Sequence, residues 1–151
     1  MTRFVRLDRH LLDRLIAEER DPHQAEMART EIVAGKMMLA SSYKLGYAMV
    51  EGGDVLIGGA LIPHFWGFAE ACCFISYRTR PRHLVEAARW AKDFLDRRQR
   101  NPQFRRVQMF VRCDEPWSFS FPNALGFHWE GRHPAWDAAG RDYHCFGRVV
   151  R

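Results

Sequence analysis

"ISYRTRPRHLVEAARWAKDFL", residues 75–95, changes its period halfway along. Up to Ile75 it closes the apolar run FAEACCFI, which reads as a strand. From Pro81 onward, Leu84, Ala87, Ala88, Ala91, Phe94 and Leu95 recur at helical spacing, and the small alanines let such a helix lie close on a sheet. Between the two stand Arg78, Arg80, Arg82 and His83. A helix N-terminus already carries partial positive charge and favours acidic neighbours. Two readings of the basic knot stay open: an anion, most naturally a phosphate, visits it, or its arginines are solvated loop residues.

Working outward, YAMVEGGDVLIGGALI (47–62) predicts a hairpin turning on Gly52-Gly53, with Pro63 ending its second strand. A loop holding His64, Phe65, Trp66 and Gly67 then leads into the strand FAEACCFISY, expected to be covered on both faces. Toward the N-terminus, FVRL (4–7) alternates as a strand, and DRHLLDRLIAEER follows as a helix burying Leu11, Leu12, Leu15 and Ile16. Asp21-Pro22-His23-Gln24 is a helix start, and that helix is expected to reach about Ser41, burying Ala28, Ile32, Val33 and Met37 or their neighbours, with Gly35 as its weak point. Toward the C-terminus come a strand in RRVQMFVRC (105–113), a short helix in DEPWSFSFPNALG, and strands in FHWEGRHPAW and GRDYHCFGRVV. The order is strand, two helices, three strands, helix, strand, short helix, two strands. It predicts one α+β domain over residues 1–151, a largely antiparallel sheet of about seven strands flanked by helices.

The 151 residues are 47% apolar and 27% charged, which excludes global disorder and gives enough chain for a core without disulfide staples. Cys72, Cys73, Cys113 and Cys145 form no CxxC pair, so no metal site is expected and reduced thiols are the simpler account. With no apolar run near the roughly 20 residues of a membrane span and no targeting h-region at MTRFVRLDR, the expectation is a cytoplasmic protein with no membrane partner. Between Arg78 and Arg106 there are ten Lys/Arg against three acids; the rest of the chain has thirteen against fifteen. That asymmetry points to an anionic ligand or partner. Nucleic acid is not the expected one, because no nucleic-acid motif accompanies the charge.

Three stretches carry a family resemblance: the hairpin end Ile57-Gly58-Gly59-Ala60, the strand–basic loop–helix unit, and the ending in which LGF (125–127) is followed by WEGR (129–132) and GRDYHCFGRV (140–149). Together they resemble the GNAT superfamily of acyl-coenzyme A-dependent N-acyltransferases over most of the chain. The sequence is also similar to divergent GNAT-like proteins of bacteriophages. The resemblance implies acetyl-coenzyme A as cosubstrate and an amine as acceptor. The alternative it leaves is a GNAT-fold binding protein without catalysis, phage-encoded and either part of the virion or directed at a host protein.

In that family the strand–helix junction holds the coenzyme A pyrophosphate, and the backbone of the fourth strand holds the acyl carbonyl. Carried over, these roles fall on Ile75, Tyr77, Arg78, Arg80, Arg82, His83 and Leu84. The family's phosphate-loop glycines are missing here and Pro81 removes one amide donor, so guanidinium groups would have to grip the phosphates in their place. A family carboxylate base maps to Glu70, with His64 as the second candidate. The position of the usual acidic tyrosine is Pro122, leaving Tyr143 or Tyr77 to stand in. Phe65, Trp66 and Phe68 fit either substrate recognition or the contact of a homodimer. Cys72 and Cys73, in a buried strand, are expected to be inert hydrophobes rather than nucleophiles.

Overall fold

The computed structural model describes residues 1–29, 31–100 and 103–150. Its elements are β1 (Arg3–Arg6), α1 (Arg9–Ala17), α2 (Pro22–Ala28), α3 (Glu31–Ser42), β2 (Gly46–Glu51), β3 (Asp54–Phe65), β4 (Gly67–Ile75), α4 (Pro81–Arg100), β5 (Phe104–Arg112), α5 (Ser120–Ala124), β6 (His128–His133) and β7 (Tyr143–Val149). The strands form one seven-stranded sheet in the order β1-β2-β3-β4-β5-β7-β6. β1/β2, β2/β3, β5/β7 and β6/β7 pair antiparallel, whereas β4 and β5 run parallel. This is the α+β, mostly antiparallel architecture the sequence predicts. Among the described residues no helix is long and apolar enough to cross a membrane.

By contacts the chain divides into two compact units, Met1–Ile62 with Ala71–Ala87, and Pro63–Glu70 with Ala88–Arg151. In the first, Asp8 caps α1 by accepting the Leu11 N–H at 2.8 Å, which turns Leu12, Leu15 and Ile16 inward. Leu15 fills the space that a side chain on Gly58 would need: a Cβ there would lie 2.2 Å from Leu15 Cδ1. Gly52 and Gly53 both take positive φ, +58° and +90°, and so make the tight turn between β2 and β3. Met49, Leu56 and Ala87 pack together with Phe4 and Ile57 beside them, fixing the first turns of α4. In the second unit Val107, Met109 and Val111 alternate inward along β5, Phe104 is buried at its start, and Phe127 and Phe146 are fully buried. Arg148 of β7 is bonded to Asp96 of α4, and Gln99 donates to the Arg148 carbonyl at 3.2 Å.

Three expectations need correction. The helix predicted from Asp21 to about Ser41 is two helices, with Arg29 in a turn between α2 and α3 and Thr30 outside the described residues. The apolar pattern explains the break: Ala25 and Ala28 are buried in α2, Ala34, Met37 and Ala40 in α3, and Ile32, which a continuous helix would bury, is 71% exposed. The chain restarts on a new face. Pro63 does not end its strand, since β3 continues to Phe65. The Leu61 N–H bonds the Leu45 carbonyl at 2.9 Å, so alternation points the Pro63 nitrogen to the same edge, beyond the start of β2, where no ladder bond is lost. β4 is covered on both faces only in part, because Glu70 to Cys73 are half-buried.

Two glycine substitutions should act in opposite directions. Gly35 lies exposed inside α3 with open space where a Cβ would go, so Gly35→Ala should stabilise by about 0.5–1 kcal/mol. A Cβ on Gly59 would sit 2.9 Å from the Cys72 carbonyl oxygen, so Gly59→Ala should cost about 1–3 kcal/mol. Urea midpoints moving in the same direction for both would contradict this packing.

Candidate active site

Strand β4 passes into α4 through Ser76–Arg80, and the start of the helix is closed by its own side chains. The Arg80 N–H donates to Nδ1 of His83 at 3.1 Å, while the Arg80 carbonyl accepts the N–H of His83 at 2.9 Å and of Leu84 at 3.4 Å. This is a reciprocal cap with histidine in the place usually taken by Glu or Gln. His83 is 2% exposed. Its other ring nitrogen, Nε2, lies 3.1 Å from Arg82 Nε and 3.2 Å from Glu51 Oε2. Arg82 Nη2 donates to the same oxygen at 2.9 Å. Arg78 Nε donates to Glu18 Oε2 at 3.1 Å, and its Nη1 lies 3.7 Å from Asp54. Desolvation opposes ionisation of Glu51, yet Arg82 and His83 hold its carboxyl below the ordinary range. Glu18, then Tyr77 and Asp54, raise Arg78. Arg80 is exposed, and its guanidinium enters none of these pairs.

β4 has two edges. On one, the Ser76 N–H bonds the Leu56 carbonyl of β3 at 2.8 Å. Alternation turns the backbone groups of Ile75 and Tyr77 to the other, and there the residues between α1 and α2 lie antiparallel, with Glu19 bridged to Ser76. Arg20 N–H donates to the Ile75 carbonyl at 3.0 Å, and Tyr77 N–H to the Glu18 carbonyl at 2.9 Å. Glu19 Oε2 accepts the Ile75 N–H at 2.7 Å, and its Oε1 accepts the Asp21 N–H at 3.1 Å. Burial raises the Glu19 carboxyl to about 7; the Asp21 and Ile75 amides pull it down without overcoming this, and the Asp21 charge adds to the rise. Burial, and then the Glu19 charge, push the Cys73 thiol up to about 12, so it is no nucleophile.

In the other unit, the structure brings the two candidate bases together. His64 Nε2 lies 3.0 Å from Glu70 Oε2, both side chains about one-third exposed. The His64 ring rests on Phe68, which also stacks on Phe65, with ring centroids 5.3 and 5.0 Å apart. Phe65 and Trp66 are 70% and 86% exposed at the hairpin tip. Glu70 pairs with Gln108 on the last rung of the parallel ladder that begins at Gly67 and Phe104; both strands continue beyond it, β4 to Ile75 and β5 to Arg112. Tyr143 is buried at the start of β7, where its hydroxyl donates to Asp137 Oδ2 at 3.2 Å. Burial alone would raise Asp137, but bonds from Arg141 and Tyr143 outweigh it and hold the carboxyl at about 2. Pro122, where the family's tyrosine would stand, is buried in α5.

An acyl-coenzyme A would draw on backbone groups of β4 and of the α4 start, and in this conformation those groups do not fit it. The Ile75 N–H and carbonyl are bonded to Glu19 and Arg20, the Tyr77 N–H to the Glu18 carbonyl, and Pro81 has no N–H. The residues that close the junction, Glu18, Glu19, Glu51 and Asp54, were not singled out from the sequence. The acids flanking Gly52-Gly53 were the available signal for two of them, once the hairpin turn is placed beside the α4 start. Glu18 and Glu19 read only as the polar end of a helix.

No protein-family model and no curated protein matches the sequence. Solved structures do match the fold. Ard1 from Thermoplasma volcanium superposes with a TM-score of 0.72 at 15% identity, over 99% of this chain and 98% of that one. The Salmonella typhimurium acetyltransferase that modifies the N-terminal serine of 50S ribosomal protein L7/L12 gives 0.72 at 14%, over 99% and 95%. The ribosomal-protein-S18-alanine N-acetyltransferase of Escherichia coli gives 0.69 at 12%, over 99% and 94%. The chain therefore has the fold of the GNAT acetyltransferases.

Glu19 gives a pH prediction. Its carboxyl is about 7 in the fold and 4.5 when unfolded, so between those values the folded protein binds more protons. Stability from this group is full below pH 4.5 and is lost as pH rises toward 7. A carboxyl carbon resonance titrating near 7 in the wild type, absent in Glu19→Ala, checks the assignment; a midpoint near 4.5 would refute it.

Proposed function

We propose that the protein is an acyl-coenzyme A-dependent N-acyltransferase acting on an amine. One observation carries the reading: a GNAT sheet whose parallel β4/β5 ladder stops at Glu70, with a hydrogen-bonded His64–Glu70 pair at that rung. The pair is suited to take a proton from an acceptor ammonium before attack, or from the amine nitrogen as it attacks, with His64 orienting the Glu70 carboxylate. The exposed Arg80 guanidinium, together with Arg78 and Arg82 once freed from their partners, supplies charge for a diphosphate. The donor itself would bring the activated acyl group.

A second reading is a GNAT-fold binding protein without catalysis. The closed junction favours it: Arg78 and Arg82 are neutralised by Glu18, Asp54 and Glu51, and β4's edge is taken by the protein's own chain.

Thermal shift with acetyl-coenzyme A separates the two. Ligand at 100 times its dissociation constant should stabilise an acyltransferase by about 2.7 kcal/mol. Glu70→Gln should then reduce turnover by about a hundredfold while leaving affinity for acetyl-coenzyme A unchanged. Absence of any shift at millimolar ligand favours the binding protein; full turnover in Glu70→Gln removes that carboxylate from the chemistry.

A further inference from the structure

The connector between α1 and α2 does more than join two helices. Residues Glu18–Arg20 dock on β4 as a short antiparallel strand and use both backbone groups of Ile75 and the N–H of Tyr77. These are the groups through which β4 would hold an extended, amide-bearing ligand, so docked connector and docked ligand exclude one another. The connector's anchors are also of a kind that a polyanion can loosen. Glu18 is bound through Ser76 Oγ at 3.1 Å and through Arg78 Nε at 3.1 Å, and the Arg78 side chain is 43% exposed. An exposed ion pair of this type contributes little and yields to a competing phosphate. Around Glu19 stand the Asp21 carboxylate on its own connector, the Cys73 thiol and Ile75 N–H on β4, and Glu18 beside it. Two backbone amides hold its charge, and the neighbouring acid opposes it.

We infer that Glu18–Arg20 is an autoinhibitory strap: it occupies the ligand edge of β4 in cis and leaves when a diphosphate takes Arg78 and an amide-bearing arm takes Ile75. The inference rests on the acyl-coenzyme A reading and adds a closed resting state to it. A strap of this kind lowers apparent affinity by the fraction of molecules in which it is open. It also accounts for the pairing of Arg78 with Glu18: the acid that occupies this guanidinium is one a ligand must displace.

The probe is coenzyme A, with residue-resolved amide exchange as readout. In the wild-type protein, coenzyme A should speed exchange of the Arg20 N–H by about tenfold or more while Ile75 stays protected, the ligand replacing Glu19. The double variant Glu18→Ala/Glu19→Ala should bind coenzyme A about tenfold more tightly than wild type. Binding with Arg20 exchange unchanged and equal affinities would overturn the strap and leave the acyltransferase reading standing. No binding by either protein at millimolar coenzyme A would overturn both. If the double variant does not fold, Arg20 exchange in the wild type decides alone.

Discussion

A strand in the middle of a sheet cannot leave one edge without hydrogen-bond partners, and β4 meets that demand in two ways. Over Gly67–Glu70 it is paired with β5. Over Ile75–Tyr77 it is paired with Glu18–Arg20. The exchange of partners along one strand sets where each candidate group falls. Glu70 stands on the last β5 rung beside His64, and the basic junction begins where the connector lets go. The backbone bonding along this strand determines which part of its edge is free.

Charge distribution alone would portray residues 78–106 as an open anion site. The structure alters that picture without removing the charge, because the partners come from distant positions: Glu18 after α1, Glu51 and Asp54 around the β2–β3 turn. These are exposed or half-exposed contacts whose net worth is small. Their larger effect is to fix Arg78 and Arg82 in place and to leave Arg80 extended into solvent. His83 belongs to the cap and the core, so the basic residue nearest the helix dipole serves folding first.

Much of the fold was legible because its signals are local. Gly52-Gly53 demanded positive φ, the 84–95 stripe demanded a buried helix face, and FVRL and RRVQMFVRC alternated as strands do. What escaped was set by contacts far apart in sequence. Nothing near Arg29 announces that Ala34, rather than Ile32, will find the core, and the Pro63 rule failed because β2 had already ended on that edge. At the site, pairing of His64 with Glu70 follows from a hairpin that turns at Trp66, beyond the strand end predicted at Pro63, so it comes into view only once β3 is allowed to run through the proline. The docking of Glu18–Arg20 was not legible, because its backbone bonds and its carboxylate contacts reach residues more than fifty positions away, which local side-chain patterns do not report.

The two adjacent thiols of β4 illustrate how strand geometry governs chemistry. Neighbouring residues of an extended chain project to opposite faces, so Cys72 and Cys73 turn away from each other. Cys72 Sγ lies 3.7 Å from the Ala60 carbonyl, whereas Cys73 lies within reach of the Glu19 charge. An oxidant therefore encounters two unrelated sulfurs instead of a dithiol. A vicinal disulfide would require β4 to buckle out of its ladder, and a thiol held protonated to about pH 12 offers almost no thiolate to begin it. That these two sulfurs do not pair with each other is a by-product of the strand's pleat.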